Sequence, residues 1–128
     1  MDETATGVPF LRLDHVTVAM PVGGEDMARA FYVDVLGMVE IPKPAPARAG
    51  GCWFESGDVS IHLSVDATEF KPAHQAHPAL VCTTFDALMA RLQDNGVQIR
   101  FEGEARPRRA FIDDAFGNRI ELIEAADS

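Results

Sequence analysis

Along this chain, short runs rich in β-branched and apolar residues alternate with stretches whose apolar residues recur every three to four positions. The first pattern predicts strands and the second predicts helices. Residues 11–19 read as a strand, and Pro21, Gly23 and Gly24 mark the turn after it. Glu25 to Leu36 reads as a helix. Its acidic first turn suits the helix dipole, Met27, Ala30, Phe31 and Val35 would form its apolar face, and Gly37 its C-terminal cap. Strands are expected at 39–41, 52–55 and 59–65, with a Pro/Ala-rich loop from Pro42 to Gly51 and a turn at 56–58. Residues 66–76 are polar and form a linker. Beyond it come a strand at 78–83, a helix capped by Thr83 or Thr84 and running to about Asp94, and strands at 97–101, 110–113 and 119–124.

The two halves echo each other. His15 and His77 are 62 residues apart, while Gly37 and Gly96, and His62 and Glu121, are each 59 apart. Each half is therefore a β-α-β-β-β unit, module 1 over about 11–65 and module 2 over about 77–124. Neither unit buries both a helix face and a sheet face alone. The predicted fold is α+β, with two tandem modules forming one domain: a curved mixed sheet around a cleft, helices on the outside.

Strand alternation sorts side chains by face. His15, Thr17 and Ala19 share one face of the first strand, and His62 and Ser64 one face of the fourth. His77, Ala79 and Val81 share a face of the fifth, and Arg119, Glu121 and Ile123 a face of the eighth. This sets His15, His62, His77 and Glu121 on the concave side as candidate metal ligands. Each residue alone is more readily a satisfied histidine or an ion-paired glutamate; the repeat-matched set is what favours a metal. Imidazole and carboxylate donors suit Zn(II), and two histidines with one carboxylate also suit non-haem Fe(II). If His62 is not a ligand, its ordinary pKa near neutrality suits a general base. Trp53 and Phe54 are neighbours on one strand, so one faces the cleft and the other the core. Arg48, Arg106, Arg108 and Arg109 are candidate contacts for a substrate carboxylate or carbonyl, Arg109 foremost. Tyr32 is expected in the core or an interface, and His74 exposed in the linker.

Composition narrows the function classes. At 128 residues, 47% hydrophobic and 24% charged, the chain has the make-up of one globular domain. A net charge of −9 argues against nucleic-acid binding, which draws its affinity from Lys and Arg on phosphates. No apolar run approaches the ~20 residues of a membrane helix. Asp2 and Glu3 stand where a signal peptide would be basic, so a cytoplasmic location is expected. Cys52 and Cys82 lack CxxC spacing and read as small apolar residues.

The order and spacing of L-D-H15-V-T-V-A-M-P, A30-F-Y-V-D-V-L-G37-M, I61-H-L-S-V, A76-H77-P-A-L and D114-A-F-G117-N-R-I-E121-L-I-E resemble the vicinal oxygen chelate superfamily. That superfamily includes glyoxalase I, bleomycin-resistance proteins and extradiol dioxygenases, and the resemblance spans roughly 11–124. It implies paired β-α-β-β-β modules around a U-shaped cleft, with a divalent metal (Zn, Ni, Mn or Fe(II)) held by His15, His62, His77 and Glu121. It also implies a homodimer, with sites built from modules of one chain or of two subunits, and a small-molecule substrate. The implied activity is a glyoxalase-like isomerase or lyase, in which a metal chelating vicinal oxygens stabilises an enolate-like species. An extradiol Fe(II) dioxygenase and a non-enzymatic antibiotic-binding resistance protein are the alternatives. Glyoxalase I-like proteins usually carry a carboxylate where this chain has His62.

Overall fold

A computed structural model describes residues 7–44 and 49–126. Its strands are β1 (Val16–Met20), β2 (Val39–Ile41), β3 (Cys52–Ser56), β4 (Val59–Val65), β5 (Ala79–Cys82), β6 (Arg100–Glu102), β7 (Arg109–Asp113) and β8 (Arg119–Glu124). Helix α1 (Glu25–Arg29) continues into a π-helix (Ala30–Val35), and α2 spans Phe85–Asp94. The expected pair of β-α-β-β-β modules is present. The strands form two four-stranded mixed sheets, ordered β1-β4-β3-β2 and β5-β8-β7-β6, so β1 and β5 are both edge strands. In each sheet the edge strand runs parallel to its neighbour, and the remaining pairings are antiparallel. Among the described residues no helix is long and apolar enough to cross a membrane.

Local structure departs from the sequence expectation where backbone hydrogen bonds are committed elsewhere. Strand β1 starts at Val16 rather than 11, because its pairing with β4 begins at Val16 opposite Ile61. The Val97 N–H bonds to Leu92 O at the end of α2, so β6 begins only at Arg100. The first helix widens after Arg29, with Leu36 N–H reaching Phe31 O. Ala28, Phe31 and Tyr32 face the core, whereas Met27 is 56% exposed. Thr84 precedes α2 in the left-handed region, φ 50°, and its hydroxyl donates to Thr83 O rather than capping the helix. Gly37 adopts the expected positive φ of 80°.

One core serves both modules. Phe54, Ile61 and Leu63 from the first sheet join Phe85, Leu92, Ile112, Ile120 and Leu122 from the second half in one buried cluster. Polar bonds cross the same seam. The fully buried Tyr32 donates its hydroxyl to Asp114 Oδ2 at 2.7 Å, and Asn118 Nδ2 donates to Ala19 O at 2.9 Å. Burial and the neighbouring Asp114 carboxylate hold the Tyr32 pKa well above its ordinary value. Cys52 is buried and Cys82 half-buried, both as free thiols.

Candidate functional site

The outward face of the first sheet carries a stack of three rings. The register sets Thr17 of β1 and Trp53 of β3 on either side of His62. Trp53 lies on His62 with centroids 3.8 Å apart and planes 4° from parallel. On the other side His15, just before β1, stacks on His62 at 3.9 Å and 16°. Phe54, the next residue along β3, is fully buried, so Phe54 is the core member of the pair and Trp53 the outward one. Trp53 and His62 together wall two cavities of about 240 and 440 Å³, the larger also bordered by Asp14, His15 and Glu55. Burial, with the neighbouring His15 second, lowers the His62 pKa.

An imidazole nitrogen presents its lone pair in the plane of its ring. Two rings stacked this closely send their lone pairs out side by side rather than toward one point. In this arrangement His15 and His62 do not converge on one ion, although the sequence sets both among the candidate ligands.

The corresponding face of the second sheet is ionic. Glu121 of β8 is 8% exposed, and its Oε1 lies 3.0 Å from His77 Nε2. Its Oε2 accepts a 2.6 Å bond from Arg109 Nη1. His77 Nδ1 lies 2.8 Å from Gln75 O, a carbonyl that can only accept, so Nδ1 carries the proton. Nε2 of a neutral His77 is then an acceptor turned toward a carboxylate, also an acceptor. Such a pair needs a proton or a cation between its members. The structure accordingly raises the His77 pKa, chiefly through Glu121, and lowers that of Glu121, chiefly through His77 and then Arg109. A ring nitrogen tied to a backbone carbonyl, leaving the other beside a carboxylate, is also how metal-binding histidines are oriented. The donor chemistry of His77 and Glu121 therefore fits a divalent ion.

The chain divides the sequence-predicted residues between two half-sites: His15, His62 and Trp53 on the first sheet, His77, Glu121 and Arg109 on the second. Among the described residues no three His, Cys, Asp or Glu side chains lie close enough to hold one metal ion. Arg109 is engaged by Glu121. Arg106 and Arg108 are engaged by the buried Glu124 at 2.5 and 2.8 Å. Arg48 lies outside the described residues. Arg119 shares the Glu121 face, as the sequence predicts, but was not set among the candidate substrate contacts; its buried Nε has no hydrogen-bond partner and its guanidinium lies over the Phe111 ring, 5.7 Å from its centroid. Its position two residues before Glu121, on the same strand face, was the available signal. A separate cavity of about 560 Å³, lined by Leu36, Met38, Leu80, Cys82 and Leu88 among others, has no histidine or carboxylate in its wall.

Comparisons with known proteins agree with this architecture. A crystal structure from Bacillus anthracis, described as of the glyoxalase family, is 41% identical at a TM-score of 0.86, covering 91% of this chain and 97% of that one. An antibiotic-binding protein from Streptomyces sp. CB03234, TnmS3, is 26% identical at a TM-score of 0.63, covering 91% and 100%. The fosfomycin resistance protein FosX of Listeria monocytogenes shares the fold at 16% identity and a TM-score of 0.69, covering 92% and 94%. A search of curated proteins finds no match. The profile of the Glyoxalase/Bleomycin resistance protein/Dioxygenase superfamily matches residues 12–122, and the chain belongs to that superfamily.

Proposed function

We propose that this protein is a metal-dependent, glyoxalase-like enzyme acting on a small oxygenated metabolite, and that two copies pair to build each site. The observation that carries the reading is the His77–Glu121 pair, two acceptors held face to face with the far nitrogen of His77 committed to Gln75. His77 and Glu121 of one copy and His15 of the other would hold the ion. Both half-sites border edge strands, β1 and β5, and exposed apolar side chains flank them: Leu13 is 76% and Val81 66% exposed. Bringing these edges together would cover that surface and complete the ligand set.

When bound, the metal supplies a Lewis acid for two adjacent substrate oxygens. The protein residues do the rest. Arg109 holds one oxygen of Glu121, which leaves the other facing His77. Trp53 covers one ring face of His62 and keeps water from it. His62, stacked away from convergence with His15, serves as the base that takes a substrate proton, and its ring edge faces the cavities that would admit the substrate. The reaction class this supports is proton transfer of the isomerase or lyase kind. The reading as an antibiotic-binding protein draws on the 26% identical relative TnmS3.

Metal content of the purified protein decides between them. The wild type is expected to retain one ion per chain, and His15→Ala and Glu121→Ala to retain none. Unfolding and refolding the two variants together should restore about a quarter of the sites, because half the dimers are mixed and each mixed dimer holds one intact set. Restoration to zero would refute pairing across copies. Absence of metal from the wild type after exposure to Zn, Ni, Mn and Fe(II) would leave the binding protein. A stoichiometric redox-active iron would point instead to dioxygenase chemistry.

A further inference from the structure

Seven of the eight described arginines have an acceptor. Arg12, Arg29, Arg100, Arg106, Arg108 and Arg109 each approach a carboxylate, and Arg91 donates to Asp34 O. Arg119 is the exception. Its Nε is buried without a partner, and among the described residues no carboxylate lies within salt-bridge distance of its guanidinium. This is conspicuous in a chain of net charge −9, where acidic groups outnumber basic ones. The carboxylate nearest in register is Asp113, directly across on β7, but Asp113 is taken by Arg100 at 3.0 Å. Glu121 is two residues along the same face, but its charge is already matched by Arg109 and His77.

A buried guanidinium N–H left unpaired is costly, because it has given up water without gaining an acceptor. Phe111 supports it from below by cation–π attraction, and the same ring packs edge-on against His77 at 5.7 Å. Arg119 and His77 thus stand on one aromatic floor, and Arg119 is near enough for its charge to oppose protonation of His77. Its backbone N–H is fixed to Ala73 O at 2.8 Å, which ties the start of β8 to the linker.

We propose that Arg119 is the anchor for an oxyanion, a carboxylate or phosphate group carried by the substrate, set beside the His77–Glu121 pair. A planar guanidinium whose Nε lacks an acceptor and whose charge has no carboxylate beside it is matched to two oxygens of such a group. This face carries Arg100, Arg109 and Arg119 with Glu102, Asp113 and Glu121, and Arg119 is the cation among them with no carboxylate within salt-bridge distance. This deepens the proposed function by naming a charged end on the metabolite, but it rests on Arg119 itself and does not need the metal to be present.

The test uses metal-free protein, so that no ion competes for the probe. Pyruvate and inorganic phosphate are titrated separately while the Arg119 Nε–H resonance is followed by NMR, assigned by its loss in Arg119→Lys. Saturable movement of that resonance with one or both probes is expected, and the better probe tells a carboxylate from a phosphate. Arg119→Met should weaken binding by about 10-fold or more, Arg119→Lys by less, and Arg29→Gln, in the other module, not at all. Equal affinity in wild type and both Arg119 variants would overturn the proposal. So would an unmoved resonance at about 100 mM of either probe, or an Arg119→Met variant whose only change is in dimer mass, which would make Arg119 an interface residue. Metal retention by the wild type is read separately: metal without oxyanion binding sinks this inference alone, and oxyanion binding without metal sinks the metal reading alone.

Discussion

The two modules use matched positions for different chemistry. His62 on β4 and Glu121 on β8 are repeat partners, each opposite an aromatic residue of the adjoining strand, Trp53 and Phe111 respectively. His15 and His77 stand at the corresponding strand starts. In module 1 all three positions are rings, and they stack. In module 2 one position is a carboxylate, and the cluster becomes a chain of charges, Arg109–Glu121–His77, above Phe111. The contrast extends to the strand ends, where Val65 of module 1 corresponds to Glu124 of module 2. Glu124 is 4% exposed and gathers Arg106 and Arg108. One backbone plan thus supports a stacked aromatic wall in one half and an ion-pair network in the other. Ligand-type chemistry is concentrated where the carboxylate is.

The sharpest way to break this comparison is metal retention. Glu121→Ala is expected to lower metal affinity by more than ~100-fold, beyond the loss typical of supporting residues, whereas His62→Gln should leave it within a few-fold. Equal losses, measured by elemental mass spectrometry, would mean that the stack opens to place His62 on the ion.

A second contrast lies within one strand. Phe54→Ala, which empties a fully buried site in the shared core, should cost about 3–5 kcal/mol of unfolding free energy. Trp53→Ala, on the outward face, should cost clearly less than Phe54→Ala. Urea denaturation followed by circular dichroism reads both, and a single transition in each variant is expected because the core spans the modules. Separate transitions would make the modules independent folding units.

Tyr32→Phe isolates the polar bond across the seam. Removing the hydroxyl should cost about 1–2 kcal/mol, since Asp114 keeps its bonds from Asn118 while losing the one from Tyr32. A change within measurement error would show the seam is held by apolar packing alone.

The smallest expected effect concerns acid. The Arg108 guanidinium, followed by its backbone N–H, holds the Glu124 carboxyl below its ordinary pKa. A depressed folded pKa contributes stability that is fully present above the unfolded value and lost as pH falls through the folded one. The wild type should therefore lose thermal stability below the ordinary carboxylate range more steeply than Glu124→Gln. Parallel Tm profiles would show that the network adds nothing pH-dependent.

Much of this molecule was legible in its sequence. Period-two alternation, the turn glycines and the echo between halves were enough for two modules, all eight strands, one of Trp53 and Phe54 in the core, Tyr32 in the core or an interface, and the matched positions of His15, His62, His77 and Glu121. These are local properties, because each residue's face follows from its neighbours along the chain. The π-helix over Ala30–Val35 was not legible, and neither was the choice of Ala28, Phe31 and Tyr32 over Met27 as the buried face. Nor was it legible that Glu121 takes Arg109 rather than Arg119, or that Arg119 is left without a carboxylate, because both depend on which charges the register of β7 and β8 brings together. The separation of the candidate ligands into two half-sites is likewise tertiary: strand faces say that side chains point the same way, but only the packing of the two sheets decides whether they meet.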